Sequence, residues 1–356
     1  MADAFFIFIH LEKSRYMKHF LLLGYFLVLL TCGTTKMVET PAEEAQNTVD
    51  TSLPEPAGPD GLKMKMPEDF TAVEDVAAHM NYLASDELKG RDSGSEGIEL
   101  AAQYIEKHFK KHAVLPYYAS YRDTLTNYKK TSYNIVGIVE GNDPKLKDEY
   151  ILLGAHYDHI GTIKPENGDY IANGANDNAS GTSTVLELAR YFGTKKNNKR
   201  SLIFALFSAE EKGLLGSRHM AKNMKAADLN LYVMLNFEMV GVPLRSKKYE
   251  LYITGYEKSN LAEVSNKYAA DNLIGYLPTA QKYGLFQRSD NYDFYKEFNI
   301  PSHTYCTFDF TNFEFYHKVN DEVSEMDFEH MTTVVNKMIP VVEGIANANE
   351  QEITLQ

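Results

Sequence analysis

An α/β fold, a three-layer sandwich around a central, mostly parallel mixed sheet, is predicted by three features of this sequence. Apolar runs of strand length alternate with helical patterns from about residue 70 to about residue 348. The runs at 150–155, 202–207 and, but for Asn236, 231–237 are apolar instead of alternating, as expected of strands covered on both faces. Each of these three runs ends in a side chain able to bind a metal or carry a proton: His156, Glu210 with Glu211, and Glu238. Ligands of open α/β sheets sit just beyond such strand ends.

The chain has 356 residues, room for a substantial core. Its first part reads as an address. Met17-Lys18 opens a basic start followed by an apolar stretch at 20–30, too short to span a bilayer comfortably. Leu29-Leu30-Thr31-Cys32 resembles a bacterial lipobox, which implies acylation of Cys32, export and a membrane tether; plain secretion and an uncleaved anchor are the rivals. Residues 1–33 are thus assigned to a signal or lipoprotein region. Residues 34–67, rich in Pro, Glu, Thr and Ala without a period, form a flexible spacer. The folded domain is expected over 68–349, with 350–356 as a tail.

Within that domain, residues 70–84 carry apolar side chains at helical spacing, with Thr71 as candidate cap. A polar, glycine-rich loop at 86–97 leads to a second helical pattern at 98–109, and 132–140 alternates like a strand before a turn at 141–144. Strands are then expected near 150–155, 202–207, 231–237, 250–254 and 302–308. Helices are expected near 181–192, 259–271 and 327–347.

The formal charge of −13 argues against nucleic acid as a partner, because phosphate binding needs clustered Lys and Arg. Two cysteines, Cys32 and Cys306, build no disulfide framework, and Cys306 sits in an apolar run as a small buried residue.

Taken singly, the polar residues after the strands have ordinary explanations. Glu210-Glu211 suits an acidic turn, Asp177 a helix cap, Glu238 a strand end, and His317 a structural histidine. Together, His156, Asp177, Glu210, Glu211, Glu238 and His317 follow successive apolar strands and would meet at one sheet edge. Imidazoles with carboxylates make a donor set suited to zinc. There are too many donors for one tetrahedral ion; they match a pair of ions sharing a carboxylate. One acid of the Glu210-Glu211 pair can bind metal while its neighbour handles a proton.

As a set, the motifs resemble those of the bimetallic zinc exopeptidases: co-catalytic zinc aminopeptidases, glutamate carboxypeptidase II, glutaminyl cyclases and the transferrin receptor ectodomain. They are Leu83-Ala-Ser-Asp-Glu-Leu-Lys-Gly-Arg91, His156-Tyr-Asp-His159, Asn176-Asp-Asn-Ala-Ser-Gly181, Ala209-Glu-Glu-Lys-Gly213 and Tyr316-His317. The resemblance implies a fold of that type and two zinc ions per chain. His156 and Glu238 would hold one ion, Glu211 and His317 the other, with Asp177 bridging. It further implies Glu210 as general base and acid, Asp158 as the carboxylate partner of the His156 ring, and Tyr316 as donor to the developing oxyanion. The implied substrates are peptide or protein N-termini, with a carboxypeptidase or a glutaminyl cyclase-like acyltransferase as alternatives on the same core. Three details depart from the family pattern. Glu238 stands where Asp is commoner, Lys318-Val319 replaces a usual Thr-Pro, and Asn291 follows Ser289-Asp290 where His is frequent.

Overall fold

A computed structural model describes residues 70–356. The expectations for the targeting region, for Cys32 and for the spacer lie outside the described residues. Helices α1 (Val73–Leu83) and α2 (Glu96–Lys111) are separated by a 3₁₀ turn, Asp86–Arg91. Strands β1 (Leu115–Pro116), β2 (Arg122–Thr124), β3 (Tyr133–Val139) and β4 (Tyr150–His156) follow, then a hairpin of β5 (Gly161–Glu166) and β6 (Asp169–Ala172). Helix α3 (Gly181–Lys195), β7 (Ser201–Phe207), α4 (Leu215–Ala226) and β8 (Leu231–Phe237) form the centre. The chain continues through β9 (Leu251–Ile253), α5 (Leu261–Ala269), β10 (Ile274–Gly275), α6 (Pro278–Lys282), α7 (Asn291–Phe298), β11 (Ser302–Cys306) and α8 (Phe328–Asn347).

Among the described residues one nine-stranded sheet runs β1-β3-β7-β4-β8-β11-β9-β10, with β2 beside β3. Strands β7, β4, β8 and β11 are mutually parallel, while β3 and β9 run against β7 and β11. The sandwich follows from the apolar runs themselves. Along β7, Leu202, Phe204 and Leu206 enter the core shared with α1, α2, α3 and α8, whereas Ile203, Ala205 and Phe207 pack with Met220 of α4 and Phe294 of α7. A strand with helices on both faces has no polar face to keep, so its sequence cannot alternate.

Parallel pairing puts the C-terminal ends of β7, β4 and β8 side by side, and with them Glu210-Glu211, His156 and Glu238. Helix α3 must start hard against β8, because a Cβ on Gly181 would lie 2.2 Å from the Phe237 carbonyl oxygen.

Some expectations shift. Thr71 does not cap α1: its hydroxyl donates to Glu187 at 2.8 Å, and the carboxylate of Asp75 instead accepts the N–H of Ala72. Residues 350–356 are not a free tail. Ile353 is buried, its N–H donates to Tyr232 Oη at 2.7 Å, and Glu352 bonds Lys267. Helices α4 and α7 and the β5–β6 hairpin were not anticipated; the glycines beside α4 and the aromatics crowding α7 mask their periodicity.

Candidate metal centre

The centre is built from loops that the fold ties down one by one. Arg91, fully buried, spreads its guanidinium over main-chain carbonyls: Tyr157 at 2.9 Å, Asn173 at 2.6 Å, Gly174 at 2.9 Å, and Leu83 at the end of α1. It thereby joins the end of β4 to the loop that carries Asp177. Burial lowers its pKa to about 10, against the pull of Asp321, Asp158, Asp177 and Glu211. Gly174 must take φ 60°, and a Cβ there would meet the His159 ring at 2.5 Å.

Asp177 lies in an irregular turn, Ala175–Ser180, and does not cap α3. The cap-like bond comes from Asn178, whose Oδ1 accepts the N–H groups of Gly181 and Met239 while its Nδ2 donates to Phe237 O. Asp177 itself is set by Asp321, whose carboxylate accepts the N–H groups of Asn176 at 2.7 Å and Asp177 at 3.0 Å.

Around Asp177 the predicted ligands converge. Its Oδ1 is 3.3 Å from His156 Nε2 and its Oδ2 is 3.2 Å from His317 Nε2. The same His317 nitrogen is 3.2 Å from Glu211 Oε2. The other Glu211 oxygen meets His159 Nδ1 at 2.9 Å. Glu238 lies on the His156 side and accepts a hydrogen bond from the Ser289 hydroxyl.

These contacts test whether metal fits. His156 Nε2, His159 Nε2 and His317 Nε2 are buried without a hydrogen-bond partner, although carboxylate oxygens stand close to the first and third. Two donors on one tetrahedral zinc, each at about 2.0–2.1 Å, stand about 3.3–3.4 Å apart, close to the spacing found. Lone pairs aimed at a shared point, not at each other, are what a metal ligand set leaves behind. The donor chemistry is that of a zinc site.

The model of peptidase family M28 matches residues 134–342, well over half of the chain. The chain belongs to peptidase family M28. Among curated relatives, aminopeptidase YwaD of Bacillus subtilis is 36% identical over 146 residues, 40% of this chain and 30% of that protein. The matches to the first three relatives cover only 22–30% of those proteins' lengths. Of solved structures, the LapA aminopeptidase of Legionella pneumophila superposes with a TM-score of 0.60 at 22% identity, over 78% of this chain and 73% of that one. The glutaminyl cyclase of Porphyromonas gingivalis gives 0.61 at 18% identity, over 77% and 99%. At such identities the likeness shows the fold alone.

In this M28 chain the fit of Asp158 differs from expectation. The Nδ1 of His156 faces the main-chain carbonyl of Asp158 at 3.1 Å, while the carboxylate is 3.8 Å away. That carboxylate is engaged elsewhere: it accepts the Ser93 hydroxyl at 2.9 Å and the N–H of Glu210 at 3.1 Å. Ser93 Oγ in turn accepts the N–H of Ala209, so the strand end bearing the two glutamates is clamped to the 86–97 loop.

Charge is concentrated here. Burial, reinforced by Glu238, Asp290 and Glu211 and opposed by His156, holds the Glu210 carboxyl well above the usual carboxylate range. Glu238 is raised to about 7, by burial first and then by Asp177 and Glu211 against His156 and Ser289. Burial alone would depress His317, yet Asp177 and Glu211 outweigh it and raise its pKa to about 10. Tyr316 stacks on the His317 ring at 3.9 Å and on Phe308 at 5.5 Å. Burial, then Asp177 and Glu211, push its phenol far up, so it stays a donor. It lines a pocket with Glu238, Met239, Leu285, Arg288 and Phe308.

Sequence reasoning gave no role to His159, Arg91, Ser93 or Asp321, and noted Asp290 only as part of the Ser289-Asp290 pair. Asp290 is fully buried with neither carboxylate oxygen partnered, and burial raises it to about 8. The signal for His159 and Arg91 was present, since both stand inside the quoted motifs. What they touch needed the fold.

Proposed function

We propose that this chain is a zinc-dependent aminopeptidase that holds two metal ions and cleaves the N-terminal peptide bond of peptides or proteins. The observation that carries the reading is Asp177, one carboxylate facing two imidazoles through its two different oxygens. That arrangement provides a donor set on each side of it: His156 with Glu238, and His317 with Glu211. A single-metal cyclase needs one such set, which favours hydrolysis.

Zinc held there supplies Lewis acidity and lowers the pKa of water toward neutrality. The protein supplies the rest. Glu210 takes a proton from the attacking water and returns it to the leaving amine, a role suited to a carboxyl whose proton affinity burial and neighbouring acids raise. Tyr316, protonated and in the pocket wall, donates to the oxyanion, a contribution of about 3 kcal/mol for a donor of this kind. The acidic surroundings of Glu238 and Asp290 receive a substrate α-ammonium group. The adjoining aromatic pocket takes the first side chain.

The test compares free, N-acetylated and C-amidated peptides, with a Gln-initiated peptide monitored for cyclisation. Hydrolysis lost on N-acetylation and kept on C-amidation supports the reading, and Glu210→Gln should retain zinc with turnover nearly abolished. Cleavage that instead requires a free C-terminus, or cyclised product as the main outcome, overturns it.

We also propose export with acylation on Cys32, from the lipobox-like residues 29–32. Labelled palmitate incorporated by the wild type and absent from Cys32→Ser supports this; equal labelling overturns it. Among the described residues no helix is long and apolar enough to cross a membrane.

A further inference from the structure

A second cluster of ligand-type side chains lies in the helical layer and shares no residue with the zinc centre. His79 on α1, His108 on α2 and Glu187 on α3 each bring one donor atom within 4.8 Å of the others, and all three are buried. His79 Nε2 is 3.1 Å from Glu187 Oε1. The His79 and His108 rings meet at 4.7 Å, and the His112 ring follows at 4.6 Å from His108.

The atoms behind the donors are partnered as they are in metal sites, where the distal nitrogen or oxygen of each ligand is fixed by a hydrogen bond. His108 Nε2 bonds the Leu186 carbonyl at 3.0 Å, which leaves Nδ1 as the free donor. His79 Nδ1 bonds Tyr104 Oη at 2.7 Å, and a hydroxyl serves either tautomer of the ring. Glu187 Oε2 takes the Thr71 hydroxyl at 2.8 Å and the Arg190 guanidinium, while Oε1 accepts from Arg190 Nε at 3.0 Å and faces His79 Nε2 with its remaining lone pair. Two further conditions hold. Burial, with His79 and His112 nearby, pushes His108 down to about 3, so its nitrogen lone pair is available at neutral pH. The cluster lines a solvent-open pocket with His112 and Lys111 among its walls, which is an entry path.

We propose that His79, His108 and Glu187 form a peripheral binding site for a divalent transition-metal ion of the zinc class, with His112 as fourth donor at the mouth. The ion takes the place of the proton between His79 and Glu187, which leaves to solvent. By joining α1, α2 and α3 it acts as a clip on the helical layer and has no part in the reaction. Nitrogen and oxygen donors in this ratio suit zinc, nickel or copper(II) better than magnesium or calcium.

The site is tested on untagged protein with its catalytic centre filled, dialysed against buffered zinc and analysed for total metal. Wild type is expected to carry one equivalent more than His79→Gln and His108→Gln, with peptide hydrolysis unchanged within twofold. Equal metal content in wild type and variants overturns the proposal. Should the variants fail to fold, the zinc-loaded wild type is titrated with Cu²⁺ and followed by electron paramagnetic resonance. One saturable equivalent with coupling to at least two imidazole nitrogens supports the site. Unsaturable binding, or a spectrum without nitrogen coupling, overturns it.

Discussion

The carboxylate of Asp158 accepts the backbone N–H of Glu210 at 3.1 Å. The bond couples the turn after β4 to the turn after β7, and it aims Glu210 from its main chain. The His156 ring relies on the Asp158 carbonyl, which any substitution keeps. Asp158→Ala should therefore separate two properties. Turnover should fall about 10–100-fold, as for other groups behind a metal site, while zinc affinity changes little. Metal analysis beside kcat measures both, and parallel losses would show that the carboxylate acts on His156 instead.

Arg91 offers a different separation. Its five donors meet four carbonyls from three segments, a fan that a lysine ammonium cannot reproduce. Arg91→Lys leaves at least one buried carbonyl unpaired, at a cost of about 1–3 kcal/mol. Because two of the carbonyls belong to Asn173 and Gly174, just ahead of Asp177, zinc affinity should fall along with the melting temperature. Denaturation with zinc present and with chelator separates the two effects, and a loss seen only without metal would contradict the link to Asp177.

The fold was legible because β4, β7 and β8 are almost wholly apolar and lead into side chains that have no reason to follow a buried strand unless they act. That the candidate ligands would lie near one another was legible for the same reason, and because Asp177 and His317 sit in motifs that recur as a set. Residues that act through others were not. Ser93, Asp321 and Arg91 lie 65, 144 and 66 positions from the groups they hold, and even for Arg91, inside a recurring motif, the local sequence does not say which groups those are. Asp158 shows the limit from the other side. Its place in His156-Tyr-Asp158 pointed at the imidazole, but a short loop turned the carbonyl toward the ring and sent the carboxylate to Glu210.

Removing metal should destabilise the protein as well as silence it. Asp177, Glu210, Glu211 and Glu238 are crowded together, and when zinc is absent their mutual repulsion is offset by the histidines and, for Asp177 and Glu211, by the Arg91 guanidinium. Chelation should lower the melting temperature, by a free energy of about 4 kcal/mol if the working zinc concentration is near a thousandfold the dissociation constant. Returning zinc should restore both melting temperature and activity; an unchanged melting curve would show that the centre contributes nothing to folding.

His303 predicts how stability depends on pH away from the centre. Its ring is fully buried in β11, with Nδ1 at 2.8 Å from the Thr254 carbonyl and Nε2 at 2.7 Å from the Ser259 hydroxyl. The carbonyl can only accept, so Nδ1 carries the proton and Nε2 accepts from serine, which fixes the neutral tautomer. Burial depresses the folded-state pKa to about 4, while the unfolded chain keeps about 6.5. Below 6.5 the unfolded state therefore binds a proton that the folded state refuses, and the stability gained at neutral pH is lost progressively between about 6.5 and 4. The full effect is on the order of 3 kcal/mol at 1.36 kcal/mol per pKa unit. Urea unfolding at pH 7.5 and pH 4.5 should show a smaller pH dependence in His303→Gln than in wild type. An identical dependence in the two proteins would place the acid sensitivity in other groups.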